Sequence, residues 1–217
     1  MERVFIFIDG SNFYHGLKEE IGIRTIDFLK FAFKPCGKRK FVGANYYNVP
    51  LKKEYAPDKY KDQQKFFNYI RNLPGYTLKL GHLELRNVEL KKGTVILENS
   101  KAHVYFVGPI DKVNEILKKD ESKTITQIKY LVEKGVDISI ATDMLSLAYD
   151  DFYDTGILVS GDGDFAYVIK KIQQLKKKIE VAYFPQRKCW HLRQVSDKFI
   201  SLEKSFFEDL ERKETRK

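Results

Sequence analysis

The sequence predicts an α/β protein built on a mainly parallel sheet, and three observations carry that prediction. Strongly apolar runs at 3–8 (RVFIFI), 156–159 (GILV) and 179–184 (IEVAYF) have the length of buried strands. Segments of helical periodicity lie between them, and turns rich in Asp, Gly, Ser and Asn close the first two runs. Strands that alternate with helices in this way pair in parallel through helical crossovers.

Taken in order, RVFIFI runs straight into Asp9-Gly10-Ser11-Asn12, a strand ending in a turn. Helices are expected over 12–20 and 26–34, and FVGANYYNV at 41–49 reads as a second strand. Pro57 opens a polar surface helix over 57–73, with apolar residues at Tyr60, Phe66, Phe67 and Ile70. A third strand is expected at 75–85. The pattern changes over 86–108, where VELKKGTVIL and AHVYFVG suggest a hairpin turning at Lys92-Gly93, an insertion of about 86–121 on one domain spanning 1–217. Residues 110–134 read as helical. Residues 138–149 read as a helix apolar over most of its circumference, and therefore buried. Asp150, Asp151 and Asp154 read as loop and helix-end residues. GILVSGDGD ends in a glycine turn. A helix over 165–175, a strand at 179–184 and a closing helix within 191–210 complete the order.

Composition narrows the function. The 217 residues are 43% hydrophobic and 14% aromatic, enough for a core and too apolar for a disordered chain. Mean hydropathy is −0.43, and no uncharged apolar run approaches the ~20 residues that span a bilayer, so no membrane partner is expected. The N-terminal run is too brief for a secretory signal and meets Asp9 almost at once. Cys36 and Cys189 offer neither a disulfide scaffold nor zinc spacing, which makes a reducing cytoplasm the expected compartment.

The charge is unevenly placed. Residues 137–164 hold seven Asp and no Lys, Arg, His or Glu. The remaining 189 residues carry 39 basic and 23 acidic groups, a balance of +16. A solvated acidic face would explain the block. So would a carboxylate site for a divalent cation, surrounded by cations that hold phosphates.

Sheet topology favours the second explanation. Asp9 and the Ser160-Gly161-Asp162 turn both follow strands, so both belong at the carboxyl edge where α/β sheets bind ligands. Each acid could merely cap a helix. Together they converge, and converging carboxylates repel unless a cation intervenes; hard oxygen donors select Mg²⁺ or Mn²⁺. Asp137 and Asp143 lie six residues apart, ~120° apart around a helix. Asp137 reads as a cap after Gly135 and Asp143 as a member of a solvated face, so geometry ranks Asp137 first as a site residue. Asp164 flanks Gly163 in the same turn as Asp162. Lys170 and Lys171, within two turns of Asp164, and the run Lys176-Lys177-Lys178 are candidates for phosphate contacts. Tyr46, Tyr47, Phe184 and Trp190 could stack on bases. The four histidines share no ligand spacing, and the chain has no GxSxG, GxGxxG or P-loop motif.

IDGSN at 8–12, KGVDISIATDM at 134–144 and LVSGDGDF at 158–165 closely resemble the NYN domain family of the LabA/DUF88 type, a branch of the PIN-like nucleases. VSDKFISL at 195–202 resembles that family's C-terminal strand. The likeness implies a PIN-like, Rossmann-like three-layer sandwich and a ribonuclease whose acids hold Mg²⁺ or Mn²⁺. It matches Asp9 and Asn12 to the first motif, Asp137 and Asp143 to the second, and Ser160, Asp162 and Asp164 to the third. It thereby raises Asp143 above its geometric rank. In that reading Asp9, Asp162 and one second-motif acid are ligands. Asn12 and Ser160 orient ligands or phosphate, and Asp164 acts through water or supports the shell. RNA is the implied partner, and self-association is open. A non-cleaving RNA-binding module on the same fold is the alternative. A haloacid dehalogenase-type phosphatase is disfavoured, because Gly10 and Ser11 stand where that family needs a second Asp.

Overall fold

A computed structural model describes residues 1–54, 56–89, 127–186 and 189–212. The chain divides into two compact units, one of 1–82 with 134–217 and one of 83–133.

In the larger unit the elements run β1 (Arg3–Asp9), α1 (Gly10–Gly16), a π-helical turn (Leu17–Ile21), α2 (Phe28–Cys36), β2 (Lys40–Asn48), α3 (Pro57–Arg71) and β3 (Tyr76–Leu80). The smaller unit holds almost all of β4 (His82–Glu89) and β5 (Gln127–Lys134), and the larger unit resumes with α4 (Val136–Tyr149), β6 (Thr155–Val159), a 3₁₀ turn (Gly163–Phe165), α5 (Ala166–Gln174) and β7 (Lys178–Tyr183). The chain closes with α6 (Trp190–Val195), β8 (Lys198–Ser201) and α7 (Lys204–Phe207).

Six strands form one sheet in the order β3-β2-β1-β6-β7-β8, and every neighbouring pair is parallel. The order reverses between β1 and β6, so the switch point of this doubly wound sheet lies where Ile8 pairs with Val159. Residue alternation sorts the two faces. Val4, Ile6, Ile8, Tyr46, Ile157 and Val159 join Phe13, Phe28, Phe31 and Phe207 in one core cluster, which places α1, α2 and α7 on that side. Phe5 and Phe7 pack against Tyr153, whose hydroxyl donates to the Met144 carbonyl of α4, so α4 covers the other side. Asp9 continues the Phe5–Phe7 series toward the α4 face.

β4 and β5 form a separate two-stranded sheet. It meets the expectation of a β elaboration but begins at 82 and ends at 134, wider than 86–121. The hairpin turn at Lys92-Gly93 and most of 86–121 lie outside the described residues.

Four local expectations are corrected. Residues 127–134, read as helix, are β5. The third strand breaks at Gly81, where a Cβ would stand 2.4 Å from the Lys134 carbonyl oxygen. The closing helix is two short helices around β8, because the family-like VSDKFISL segment pairs with β7 instead of coiling. α4 buries only the stripe Val136, Ile140, Met144 and Ala148; Ile138 and Tyr149 are 75% and 79% exposed. Both cysteines are free and buried. Among the described residues no helix is long and apolar enough to cross a membrane.

Candidate active site

Asp9 ends β1 in extended geometry and caps α1: its Oδ1 accepts the Asn12 backbone N–H at 3.1 Å. Its Oδ2 accepts the Ser160 hydroxyl at 3.0 Å, and the residue is 6% exposed. The capping role expected of Asp9 is therefore real, yet it accounts for only one of the two oxygens. Ser160 reaches it because β1 and β6 are sheet neighbours. The Ser160 oxygen in turn accepts the Asp162 N–H at 3.1 Å, and Asp162 Oδ1 accepts the Asp164 N–H at 2.9 Å. The first and third sequence motifs thus form one hydrogen-bonded chain across the switch point. Asn12 contributes its backbone amide to that chain.

Asp137 lies exposed in the first turn of α4. Its carboxyl is pushed up from the usual range, first by desolvation and then by repulsion from Asp162 and Asp164. The helix is capped by Gly135 in the left-handed region, φ 84°, with no side-chain cap; Asp137 does not serve as the cap. Asp143 also departs from its sequence reading as a solvated face. Its Oδ2 accepts from the Tyr47 hydroxyl at 2.8 Å and Asn45 Nδ2 at 3.0 Å, with Lys79 Nζ 3.4 Å away. Burial drives the Tyr47 phenol far above its ordinary value, so it stays protonated and donates. Asp143 therefore stands beside the strand neighbouring Asp9, since Tyr47 is Asp9's partner in register. The structure joins Asp9, Ser160, Asp162 and Asp164 by hydrogen bonds, and Asp137 feels the charges of Asp162 and Asp164. Asp143 is held in a separate, cation-paired nest.

The donor set suits a hard divalent cation: carboxylate oxygens, with Asp162 and Asp164 repelling the charged form of Asp137. Among the described residues, no three His, Cys, Asp or Glu side chains are gathered into a ready cation site.

Lys170 and Lys171 are exposed on α5, with Lys171 Nζ 5.5 Å from the centre of the Tyr167 ring. Lys176–Lys178 belong to the other edge of the sheet. α5 runs back against the strands, Lys178 begins β7, and Lys177 pairs with Asp151 and, at 3.9 Å, with Asp154. Their expected phosphate role is corrected accordingly. Tyr46, Tyr47 and Phe184 are buried and present no face to a base; Trp190 is 64% exposed. Sequence reasoning missed Asn45 and Lys79. An Asn centred in an apolar strand was the available signal for the first, and Lys79 carried none. It also passed over His191, whose side chain lies against Gly163 of the acidic turn.

Parallel strands, a switch point and acids at their carboxyl ends define a doubly wound α/β fold with a ligand-binding edge. The NYN domain model matches residues 93–203, half of the chain, and the protein belongs to the NYN domain family. No curated protein matches the sequence. A crystal structure of a protein of unknown function from Vibrio parahaemolyticus is similar over 93% of each chain, with 22% identity and a TM-score of 0.58, a likeness of fold.

Proposed function

We propose that the protein is a divalent-metal-dependent ribonuclease that hydrolyses RNA phosphodiester bonds at the carboxyl edge of β1 and β6. The observation that carries this reading is the hydrogen-bonded run Asn12–Asp9–Ser160–Asp162–Asp164, with the Asp137 carboxyl pushed up first by desolvation and then by Asp162 and Asp164. Membership of the NYN family supports it. Asp9, Asp162 and Asp137 would hold Mg²⁺ or Mn²⁺, and Asp143 would stand as a further acid across β2. When bound there, the ion would supply charge neutralisation and an acidified water. The chain supplies the rest. Ser160 fixes the carboxylate plane of Asp9 by donating to it, and it orders the Asp162 turn by accepting from it. Asp164 secures that turn through its backbone. Lys170 and Lys171 hold phosphates along the strand, and Lys79 neutralises Asp143 until a cation or phosphate competes for it.

The test is cleavage of structured and unstructured RNA by purified protein with Mn²⁺, with and without chelator. Cleavage that chelator abolishes is expected. The second reading, an RNA-binding module that does not cut, draws on the Lys79–Asp143 pair, which already neutralises one acid. RNA binding with no cleavage under any divalent cation would select it.

A further inference from the structure

Trp190 is the chain's single tryptophan, and it stands 64% exposed. Its mounting is firm. It opens α6, which is anchored through the buried Leu192 and through Gln173 of α5, whose Nε2 donates to the Val195 carbonyl at 2.7 Å. The next residue, His191, lies against Gly163: a Cβ built at that glycine would sit 3.4 Å from His191 Cδ2. Gly163 separates Asp162 from Asp164. The indole and imidazole centres are 5.2 Å apart with planes at 77°, edge to face. One ring therefore lies beside the acidic turn and the second ring packs edge to face against the first. Nothing in this packing needs an indole, since the side chain contributes little to the core.

From this placement we propose that Trp190, braced by His191, is a stacking platform for an unpaired base of the bound strand, set next to the acidic turn that handles the phosphate. The inference rests on the hydrolytic reading for the identity of the ligand. An aromatic face binds any base and reads no sequence, so the platform would make the enzyme prefer single-stranded over paired RNA without strong base preference. His191 acts as a positioning residue, limiting the orientations open to the indole.

Because Trp190 is the only tryptophan, its fluorescence reports the contact directly. The full chain, in chelator to prevent cleavage, is titrated with fluorophore-labelled single-stranded oligouridylate and with an abasic oligomer of equal length. Anisotropy follows binding and tryptophan emission follows stacking. Oligouridylate should quench Trp190, and the abasic chain should bind without quenching it. Trp190→Ala should weaken oligouridylate binding roughly five- to a hundredfold at unchanged salt slope, while Trp190→Phe retains most of the affinity. The exposed position makes the substitution safe for folding, and circular dichroism checks it. Binding without quenching, equal quenching by the abasic chain, or wild-type affinity in Trp190→Ala would each overturn the platform while leaving hydrolysis intact. Quenching in a protein that never cleaves would keep the platform and overturn the hydrolytic reading. No binding at all overturns both.

Discussion

Ser160 shows how much of the site depends on one hydroxyl. It is 2% exposed and bridges two motifs, donating to Asp9 and accepting from the Asp162 amide. Ser160→Ala removes both bonds, so Asp9 keeps the Asn12 amide on Oδ1 but loses the hydroxyl that donates to Oδ2. Cleavage should fall roughly ten- to a hundredfold with the fold intact, the usual loss when a ligand's orienting partner is removed. Asp9→Asn should cost more, a hundredfold or beyond, because the charge itself is lost; rates on one RNA at fixed Mn²⁺ compare the two. Asp9, Asp162 and Asp164 are legible in the sequence because each sits in a strand-ending turn. Asp143 is less so. Its partners Asn45, Tyr47 and Lys79 come from two strands remote in sequence, and only the sheet's register brings them together. Asp137 is recognisable as a site candidate, but its reading as a cap fails because Gly135 takes that position in left-handed geometry.

Among the secondary-structure elements, α1 can start directly after β1 only because residue 10 is glycine. A Cβ there would stand 2.4 Å from the Tyr47 carbonyl oxygen and 2.5 Å from the Tyr46 ring. That carbonyl belongs to the backbone of a central strand and cannot retreat cheaply. Gly10→Ala should destabilise the fold by about 3 kcal/mol, read as a lower urea midpoint at unchanged slope. Most strand and helix positions follow from periodicity within a residue or two, β1, β2, β6 and β7 among them. α4 shows where that reasoning stops. Its sequence is apolar nearly all round, yet a helix lying on a sheet buries one stripe, and Ile138 and Tyr149 remain in solvent. β5 fails for the opposite reason: QIKYLVEK is polar enough to pass for a surface helix, and its strand state depends on pairing with β4.

Across the molecule, the two edges of the sheet divide the labour. At the carboxyl edge Asp162 and Asp164 repel the charged form of Asp137, whereas at the amino edge Arg3 and Lys177 pair with Asp151 and Asp154. Arg3 binds Asp154 through its backbone N–H at 2.7 Å and its guanidinium at 2.7 Å, and Lys177 adds to the same cluster. The Arg3 guanidinium and amide hold the Asp154 carboxyl at about 2. A carboxyl depressed in the folded state stabilises fully above its unfolded value near ~3.9, and that stability is lost as pH falls toward ~2. Asp154 is 39% exposed, so solvent screening reduces the effect to about 1 kcal/mol. Asp154→Asn should therefore lower urea stability by that amount at pH 7 and by almost nothing at pH 2, flattening the acid limb of the stability profile. In sequence Asp151 and Asp154 are indistinguishable from ordinary loop residues, because Arg3, one of the two cations that bind both, lies about 150 positions away and meets them only once β1 and β6 pair.

Whether the acids at the carboxyl edge form a divalent-cation site can be read from anomalous diffraction by a crystal soaked in Mn²⁺. A Mn²⁺ peak is expected within coordination distance of Asp9, Asp162 and Asp137, completed by waters. A peak lying only elsewhere, or none at saturating Mn²⁺ with these side chains ordered, would contradict the proposed site.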